Sequence, residues 1–284
     1  MQGFVSVYKP SGMTSSSVVC KIKKHFHIDK IGHMGTLDPL ASGILPIAIG
    51  KATRMFDYFL DKTKRYIAVF DFSYTTDTLD CTGATLNSSK IDVSIDMLKN
   101  VLPQFEGDIM QVPPMYSAKN VGGVRAYKLA RAGETVELKP KCVHIESIKC
   151  VKQIDKNIFQ FDIVCGSGTY IRSLARDIAS ALNTYGCMTS LERVESGKFV
   201  KETSITLDEL LTKDDLTNFL IPVEKVFVSF GQITLNKSNS RLLNGLSVTL
   251  DLMDGKYFLM DSGNAVAVID VKNKVGTMQT YLKE

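Results

Sequence analysis

Residues 32 to 54 read Gly-His-Met-Gly-Thr-Leu-Asp-Pro-Leu-Ala-Ser-Gly-Ile-Leu-Pro-Ile-Ala-Ile-Gly-Lys-Ala-Thr-Arg, with one carboxylate set among glycines, small residues and prolines. Pro39 pushes Asp38 out of the helical region. Gly32, Gly35 and Gly43 free the backbone for positive φ or for close approach to another molecule. The apolar run 44–49 reads as a buried strand, so the loop is anchored to a sheet at its C-terminal end. A reactive acid on rigid support suggests catalysis. The competing reading is a solvent turn in which Asp38 and Pro39 serve only as turn formers.

Around this loop, helix and strand signals are interspersed. Phe4–Tyr8 reads as a short strand ending at the turn Lys9-Pro10-Ser11-Gly12. Thr14 or Ser15 caps a helix with Val18, Val19, Ile22 and Phe26 at helical spacing. Ala52–Leu60 reads as a short helix, Lys64–Ser73 as a strand, Thr75–Gly83 as a polar, turn-rich stretch and Ser94–Leu102 as a helix. Gln111–Gly133 reads as a loop followed by a helix, and Val143–Val151 with Ile158–Cys165 as a hairpin. Tyr170–Asn183 is the clearest helix, with Ile171, Leu174, Ala175, Ile178 and Leu182 on one stripe and Gly186 just beyond its end. This is an α+β pattern. The acidic, Thr-rich stretch 201–218 and Pro222 separate a final segment in which Val226–Ile233, Ser247–Leu250, Lys256–Met260 and Ala265–Val271 read as short strands. The expected domains are therefore 1–222 and 223–284, the second small and β-rich.

The 284 residues, 44% hydrophobic and 23% charged, allow an ample core and an ordinary soluble globular protein. No apolar run reaches the roughly 18 residues of a membrane span, and no secretory signal pattern opens the chain. The six cysteines contain no Cys-x-x-Cys pair and no spacing that joins them to the four histidines as a zinc site. Reduced thiols and a cytoplasmic location are expected. The net charge is +4, yet residues 1–75 carry ten Lys or Arg against five Asp or Glu. Positive charge beside the acid loop suits a polyphosphate backbone. A solvated helix face bearing Lys21, Lys23, Lys24, His25 and Lys30 is the equal alternative.

Further segments stand out in order: Lys64-Arg65-Tyr66, Thr76-Asp77-Thr78-Leu79-Asp80, Pro113-Pro114-Met115-Tyr116-Ser117-Ala118-Lys119, Gly168-Thr169-Tyr170-Ile171-Arg172-Ser173-Leu174 and Leu191-Glu192-Arg193-Val194-Glu195-Ser196-Gly197-Lys198-Phe199. With the acid loop they resemble, one by one and in the same order, the motifs of the TruB family of tRNA pseudouridine synthases, over roughly 190 residues. The resemblance implies conversion of uridine to pseudouridine at position 55 in the T-arm of tRNA, with no cofactor or metal. The stacked uridine must first be flipped out, at a cost of a few kcal/mol.

Asp38 aligns with the family's catalytic aspartate, which attacks C1′ or C6 as nucleophile or acts as a base at C2′. Arg172 aligns with its arginine partner. Burial disfavours an ionised carboxylate, and a guanidinium fork offsets that. Tyr66 aligns with the tyrosine that stacks on the target base and assists proton removal from C5. His33 corresponds to a histidine near the flipped nucleotide, Tyr170 and Leu191 to residues lining the pocket, Asp80 to an acid near the base and Lys9 to the Lys-Pro motif of the N-terminal strand. Taken alone, these positions read as a surface arginine, a half-buried tyrosine, a turn histidine, core packing, a turn cap and an exposed lysine.

The implied fold is a mixed, mostly antiparallel sheet of the pseudouridine synthase type, followed by a PUA-like domain contacting RNA backbone and shape. The implied partner is the T-arm stem-loop of tRNA, bound by a monomer with no membrane and no obligatory protein partner. Two departures stand out: Glu192 where the family usually has an arginine, and Lys141 where an arginine is common. Three rivals remain. One is a guide-dependent synthase acting on ribosomal RNA, expected to have a longer N-terminal extension and protein partners; the first motif here lies close to the start, which favours a stand-alone enzyme. Another is a tRNA-folding chaperone using the same surface. The third, a non-RNA enzyme cradling phosphate in the glycine loop, is disfavoured because no Gly-Lys-Ser/Thr ending or helix N-terminus follows.

Overall fold

A strand that is apolar on both faces needs cover on both sides, and strands β1 (Gly3–Lys9) and β3 (Ser42–Ile49) obtain it at the centre of the molecule. The computed structural model describes residues 1–59, 63–117, 120, 121, 123–125, 129, 132 and 138–283. In it, β1 turns Val5 and Val7 to one core and Phe4 to another, and β3 divides Leu45 and Ile47 from Ile44 and Ala48 in the same way.

Both strands belong to a ten-stranded sheet with β2 (Ile31–His33), β4 (Lys64–Asp71), β7 (Gly107–Gln111), β10 (Lys141–Asp155), β11 (Ile158–Cys165), β12 (Cys187–Ser196), β13 (Phe199–Val200) and β14 (Ile205–Thr206). Its path is β14-β1-β3-β12-β4-β11-β10-β7, with β2 on β3 and β13 on β12. Only the β1/β14 and β3/β12 pairs are parallel. Two small hairpins, β5 (Tyr74–Thr76) with β6 (Thr85–Ser88) and β8 (Asn120–Val121) with β9 (Val124–Arg125), stand outside it. The expected α+β, mostly antiparallel architecture is the one found.

The register creates one transverse row. Lys9 pairs with Gly43, Gly43 with Arg193, Arg193 with Tyr66, and Tyr66 with Ile163. Alternation along each strand then places these side chains on the face shared with Val5, Val7, Leu191, Ala68 and Phe70. Helices α1 (Ser15–His25), α3 (Ile95–Val101) and α4 (Ile171–Ala181) cover that face with Val18, Ile22, Leu98, Leu174 and Ile178. Thr14 caps α1 by accepting from the Ser17 amide, and Ser94 caps α3 in the same manner.

The opposite face packs Phe4, Phe59 and Phe199 against Phe227, with Phe4–Phe59 centroids 5.6 Å apart. There it meets a five-stranded sheet of β15 (Gly231–Thr234), β16 (Val248–Thr249), β17 (Gly255–Asp261), β18 (Asn264–Lys272) and β19 (Val275–Tyr281), in the order β15-β17-β18-β19-β16. Phe258, Ala265 and Val268 come from this sheet into the shared core.

Several elements differ from the sequence reading. Residues 50–55 form a 3-10 turn before the short α2 (Phe56–Phe59), and Leu60 lies outside the described residues. The helix read before Gly133 also falls outside them. Val226–Ile233 is not one strand: α5 (Val223–Val226) ends there and β15 starts at Gly231. The strand β12 was hidden by its charges, which are satisfied across strands, Arg65 reaching Glu195 at 3.0 Å and Asp162 at 2.7 Å. Strands β7 and β19 are also additions to the sequence reading. Gly35 (φ +134°) and Gly43 (φ +112°) do use glycine's freedom, but Gly32 does not take positive φ and has only Thr53 near it, at 3.9 Å from an added Cβ.

Gly43 is the most constrained of these, because a Cβ there would stand 2.2 Å from the Arg193 carbonyl oxygen. Gly43→Ala combines positive φ with a backbone clash, so urea denaturation should show a loss of about 3 kcal/mol or more; an unchanged midpoint would contradict the tight β3/β12 approach.

Candidate active site

Residues 34–41 leave β2 and re-enter at β3, and they are tied down at almost every step. From one side, Gly12 N donates to Pro39 O (2.8 Å), Ser11 Oγ to Leu40 O (2.6 Å) and Ser15 Oγ to Leu37 O (3.0 Å), while Leu37 N donates back to Ser15 Oγ (2.8 Å). Lys9, the last residue of β1, is fully buried. Its Nζ donates to Met13 O (2.6 Å), Pro10 O (2.9 Å) and Pro39 O (3.4 Å). From the other side, Arg193 spans the loop's two ends, Nε donating to Ile44 O (2.7 Å) and Nη2 to Gly35 O (3.1 Å). The shaped loop expected from the glycines is therefore held by main-chain carbonyls gripped from two strands.

Asp38 emerges from this loop against Arg172, the second residue of α4. The contact is bidentate: Nη2 donates to Oδ1 at 3.0 Å and Nε lies 2.9 Å from Oδ2. The arginine side chain is 6% exposed and the aspartate side chain 32%. The carboxylate can thus be reached while its counter-charge cannot leave. Arg172 is further fixed by donating to Thr78 O (2.9 Å) and Tyr116 O (2.9 Å), with Asp80 Oδ2 at 3.5 Å. Asp80 also accepts from Thr82 N (3.1 Å), Thr82 Oγ1 (2.5 Å) and Thr78 Oγ1 (2.9 Å). It caps its own turn and at the same time backs the arginine.

The transverse row supplies the rest of the site. Tyr66 lies beside Arg193 and is 7% exposed. Burial pushes its phenol up, with the Arg193 guanidinium pulling the other way. Burial, reinforced by Arg193, holds His33 below the usual imidazole range, so its ring is neutral near pH 7. The His33 Nδ1 is buried with no hydrogen-bond partner among the described residues. Lys9 is pushed down to about 8, mainly by burial, with Asp38 opposing and Arg193 adding to the shift.

The structure brings Asp38, Arg172 and Asp80 into contact and sets Tyr66 in the adjoining row. Tyr170, half-buried, is the residue before α4, and Leu191 is 6% exposed, two positions from Arg193 on β12. Lys9, grouped by its motif with the substrate-binding residues, faces carbonyl oxygens rather than solvent, so it supports the loop and is not an exposed lysine. Glu192 points to the other side of the sheet, where it accepts from Tyr8 (2.8 Å) and Lys201 (2.6 Å). Two contributors were missed. Arg193 is fully buried, which the alternation Leu191-x-Arg193 could have revealed, and Gln111, which had no sequence signal, bonds the main chain of Tyr170 beside Arg172. All six cysteines are free thiols, and among the described residues no group of three or more His, Cys, Asp or Glu could hold a metal ion. No helix among them is long and apolar enough to cross a membrane.

Residues 23–171 match the family described as TruB family pseudouridylate synthase (N terminal domain), and residues 172–228 match the tRNA pseudouridylate synthase B C-terminal domain. The tRNA pseudouridine synthase B of Clostridium novyi (strain NT) is 43% identical over 87% of this chain and 86% of its own length. That of Gluconacetobacter diazotrophicus is 40% identical over 89% and 85%. Among solved structures, one of an H/ACA RNP bound to a substrate RNA containing 2′-deoxyuridine matches with a TM-score of 0.73 and 25% identity, over 99% of this chain and 85% of that one. One of a Cbf5-Nop10-Gar1 complex gives 0.72 and 26%, over 99% and 84%.

The depressed Lys9 ammonium has a measurable consequence. An unfolded lysine keeps its proton to about pH 10.4, so between about 8 and that value the unfolded chain binds a proton that the folded one has lost. Stability relative to Lys9→Met should therefore rise with pH through this window. Chemical denaturation of both proteins at several pH values checks it, and a flat difference would contradict the buried, carbonyl-bound ammonium.

Proposed function

The chain belongs to the TruB family of pseudouridine synthases, and on that footing we propose that it isomerises the uridine at position 55, in the T-loop of tRNA. It is a pseudouridine-forming isomerase of tRNA. What carries the finer reading is the Asp38 carboxylate, open to a ligand on one side and locked to a buried guanidinium on the other.

The chemistry follows from that arrangement. A flipped uridine entering beside Asp38 meets an ionised carboxylate whose orientation is fixed by two parallel contacts, so little reorganisation precedes reaction. The carboxylate attacks C1′ or C6, or takes a proton from C2′; the N1–C1′ bond breaks, the base turns and C1′ bonds to C5, the bond or proton held by Asp38 is given back, and the C5 proton is lost while N1 gains one. Tyr66, carrying its proton in the free protein, offers a π face to the base and a hydroxyl near C5. The half-buried imidazole of His33 is suited to contact the RNA around the vacated position. Leu191 and Tyr170 supply apolar walls.

Residues 1–222 are read as the catalytic domain and 223–284 as a PUA-like RNA-binding domain. The family models end at residue 228, so the second assignment rests on the five-stranded sheet itself. We read the protein as a cytoplasmic monomer that needs no protein partner, with tRNA drawn by the basic N-terminal region. Identity of 43% to a tRNA pseudouridine synthase B over most of both chains supports tRNA as the substrate.

Incubation with an unmodified T-arm stem-loop, followed by chemical mapping, should give one pseudouridine, at position 55. Asp38→Asn should lower its formation at least about a thousandfold while tRNA binding persists. Product from that variant would overturn the mechanism, product only in ribosomal RNA fragments would favour the guide-dependent alternative, and intact tRNA folding without product would reveal a chaperone role. Tyr66→Phe keeps the stacking face and loses the hydroxyl, so single-turnover formation should slow by about a hundredfold with affinity nearly unchanged; an unaltered rate would remove the hydroxyl from the chemistry.

A further inference from the structure

We propose that Gln111 is a positioning residue for Arg172, setting the arginine's approach to Asp38 through the main chain of Tyr170; this rests on the reading of Asp38 and Arg172 as the reacting pair. Gln111 closes β7, the edge strand of the large sheet, and is 1% exposed. Its carboxamide clasps both polar groups of one residue: Tyr170 N donates to Oε1 at 2.8 Å, and Nε2 donates to Tyr170 O at 3.2 Å.

Tyr170 is where α4 begins, and its own side chain makes no capping bond. A tyrosine cannot cap as Ser, Thr, Asp or Asn do, so a residue far away in sequence fixes the start of the helix. The carbonyl that Gln111 holds also accepts the first bond of that helix, from Leu174 N at 3.1 Å. Arg172 lies within this turn.

The neighbouring residue strengthens the junction. Val112 O accepts from Ser173 Oγ (2.9 Å) and from Arg176 Nη2 (3.0 Å), so two successive residues at the end of β7 hold three of the first residues around the helix start. Arg172 must span from here to a loop held by β1, β3 and β12. Because its guanidinium meets Asp38, Thr78 and Tyr116 simultaneously, a small displacement of its Cα breaks the bidentate geometry. Misplacement of about 1 Å is enough to cost about a hundredfold in rate.

Two variants separate positioning from general support. Gln111→Met keeps the volume and loses both bonds. With T-arm RNA its single-turnover rate should fall about ten- to a hundredfold with RNA affinity within about twofold. Gln111→Glu accepts from Tyr170 N but, when ionised, has no proton for Tyr170 O; burial raises such a carboxyl and protonation restores the second bond. Its rate relative to the unsubstituted protein should therefore climb as pH falls from about 8 to about 6, a dependence that lost packing would not produce. If Gln111→Met fails to fold, this pH dependence alone decides. A full rate from Gln111→Met, or Gln111→Glu tracking the unsubstituted protein at every pH, would overturn the proposal. Should the unsubstituted protein form no pseudouridine, the functional reading fails instead. The positioning role is then decided by the crystal structure of whichever variant folds, Gln111→Met at any pH or Gln111→Glu with its carboxyl ionised, where a retained bidentate Arg172–Asp38 contact would refute it.

Discussion

The bidentate contact between Asp38 and Arg172 joins groups anchored at distant parts of the large sheet. Asp38 rides on a loop gripped by β1, β3 and β12. Arg172 rides on a helix whose start is fixed at β7, on the far edge. Neither side can place a reactive carboxylate alone: the loop side lacks a counter-charge aimed at Asp38, and the helix side lacks the acid. A guanidinium buried with one partner removed is strongly unfavourable, so the pair also locks the Asp38 loop against the start of α4. Rigidity and reactivity have the same origin here.

A second buried cation makes the first arrangement possible. Arg193 carries its charge into the core and spends its donors on Ile44, Gly35 and Thr36 carbonyl oxygens. Burial shifts both His33 and Lys9 downward, and the Arg193 field adds to it. The environment around Asp38 is therefore rich in fixed positive charge and main-chain dipoles, and the exposed carboxylate is the acceptor left open toward a ligand. For a reaction in which a carboxylate must engage a nucleoside transiently, such preorganisation substitutes for the water it excludes.

Local patterns were legible in the sequence. The loop around Asp38, the strand after it, the cap at Thr14, one of the two residues the sequence offered, and the stripe of the helix bearing Arg172 follow from glycines, prolines, capping chemistry and periodicity. The order of motifs pointed to the family. What could not be read was register. Lys9, Gly43, Arg193 and Tyr66 stand in one row across the sheet, yet nothing local says that residue 193 lies between residues 43 and 66. For the same reason nothing decided between loop support and an exposed lysine for Lys9, and Gln111 gave no sign that it would clasp Tyr170. Charged β12 escaped detection because its partners, Arg65 among them, come from distant segments. Glu192, which looked like a lost phosphate contact, belongs to the sheet's other face and to Lys201.

The most direct measurement of the central claim is single-turnover pseudouridine formation by Arg172→Lys on T-arm RNA. Lysine keeps the charge and loses the planar fork. If the fork orients Asp38, the rate falls about a hundredfold or more at nearly unchanged RNA affinity; a rate equal to that of the unsubstituted protein would show that charge alone suffices and that the bidentate geometry is incidental.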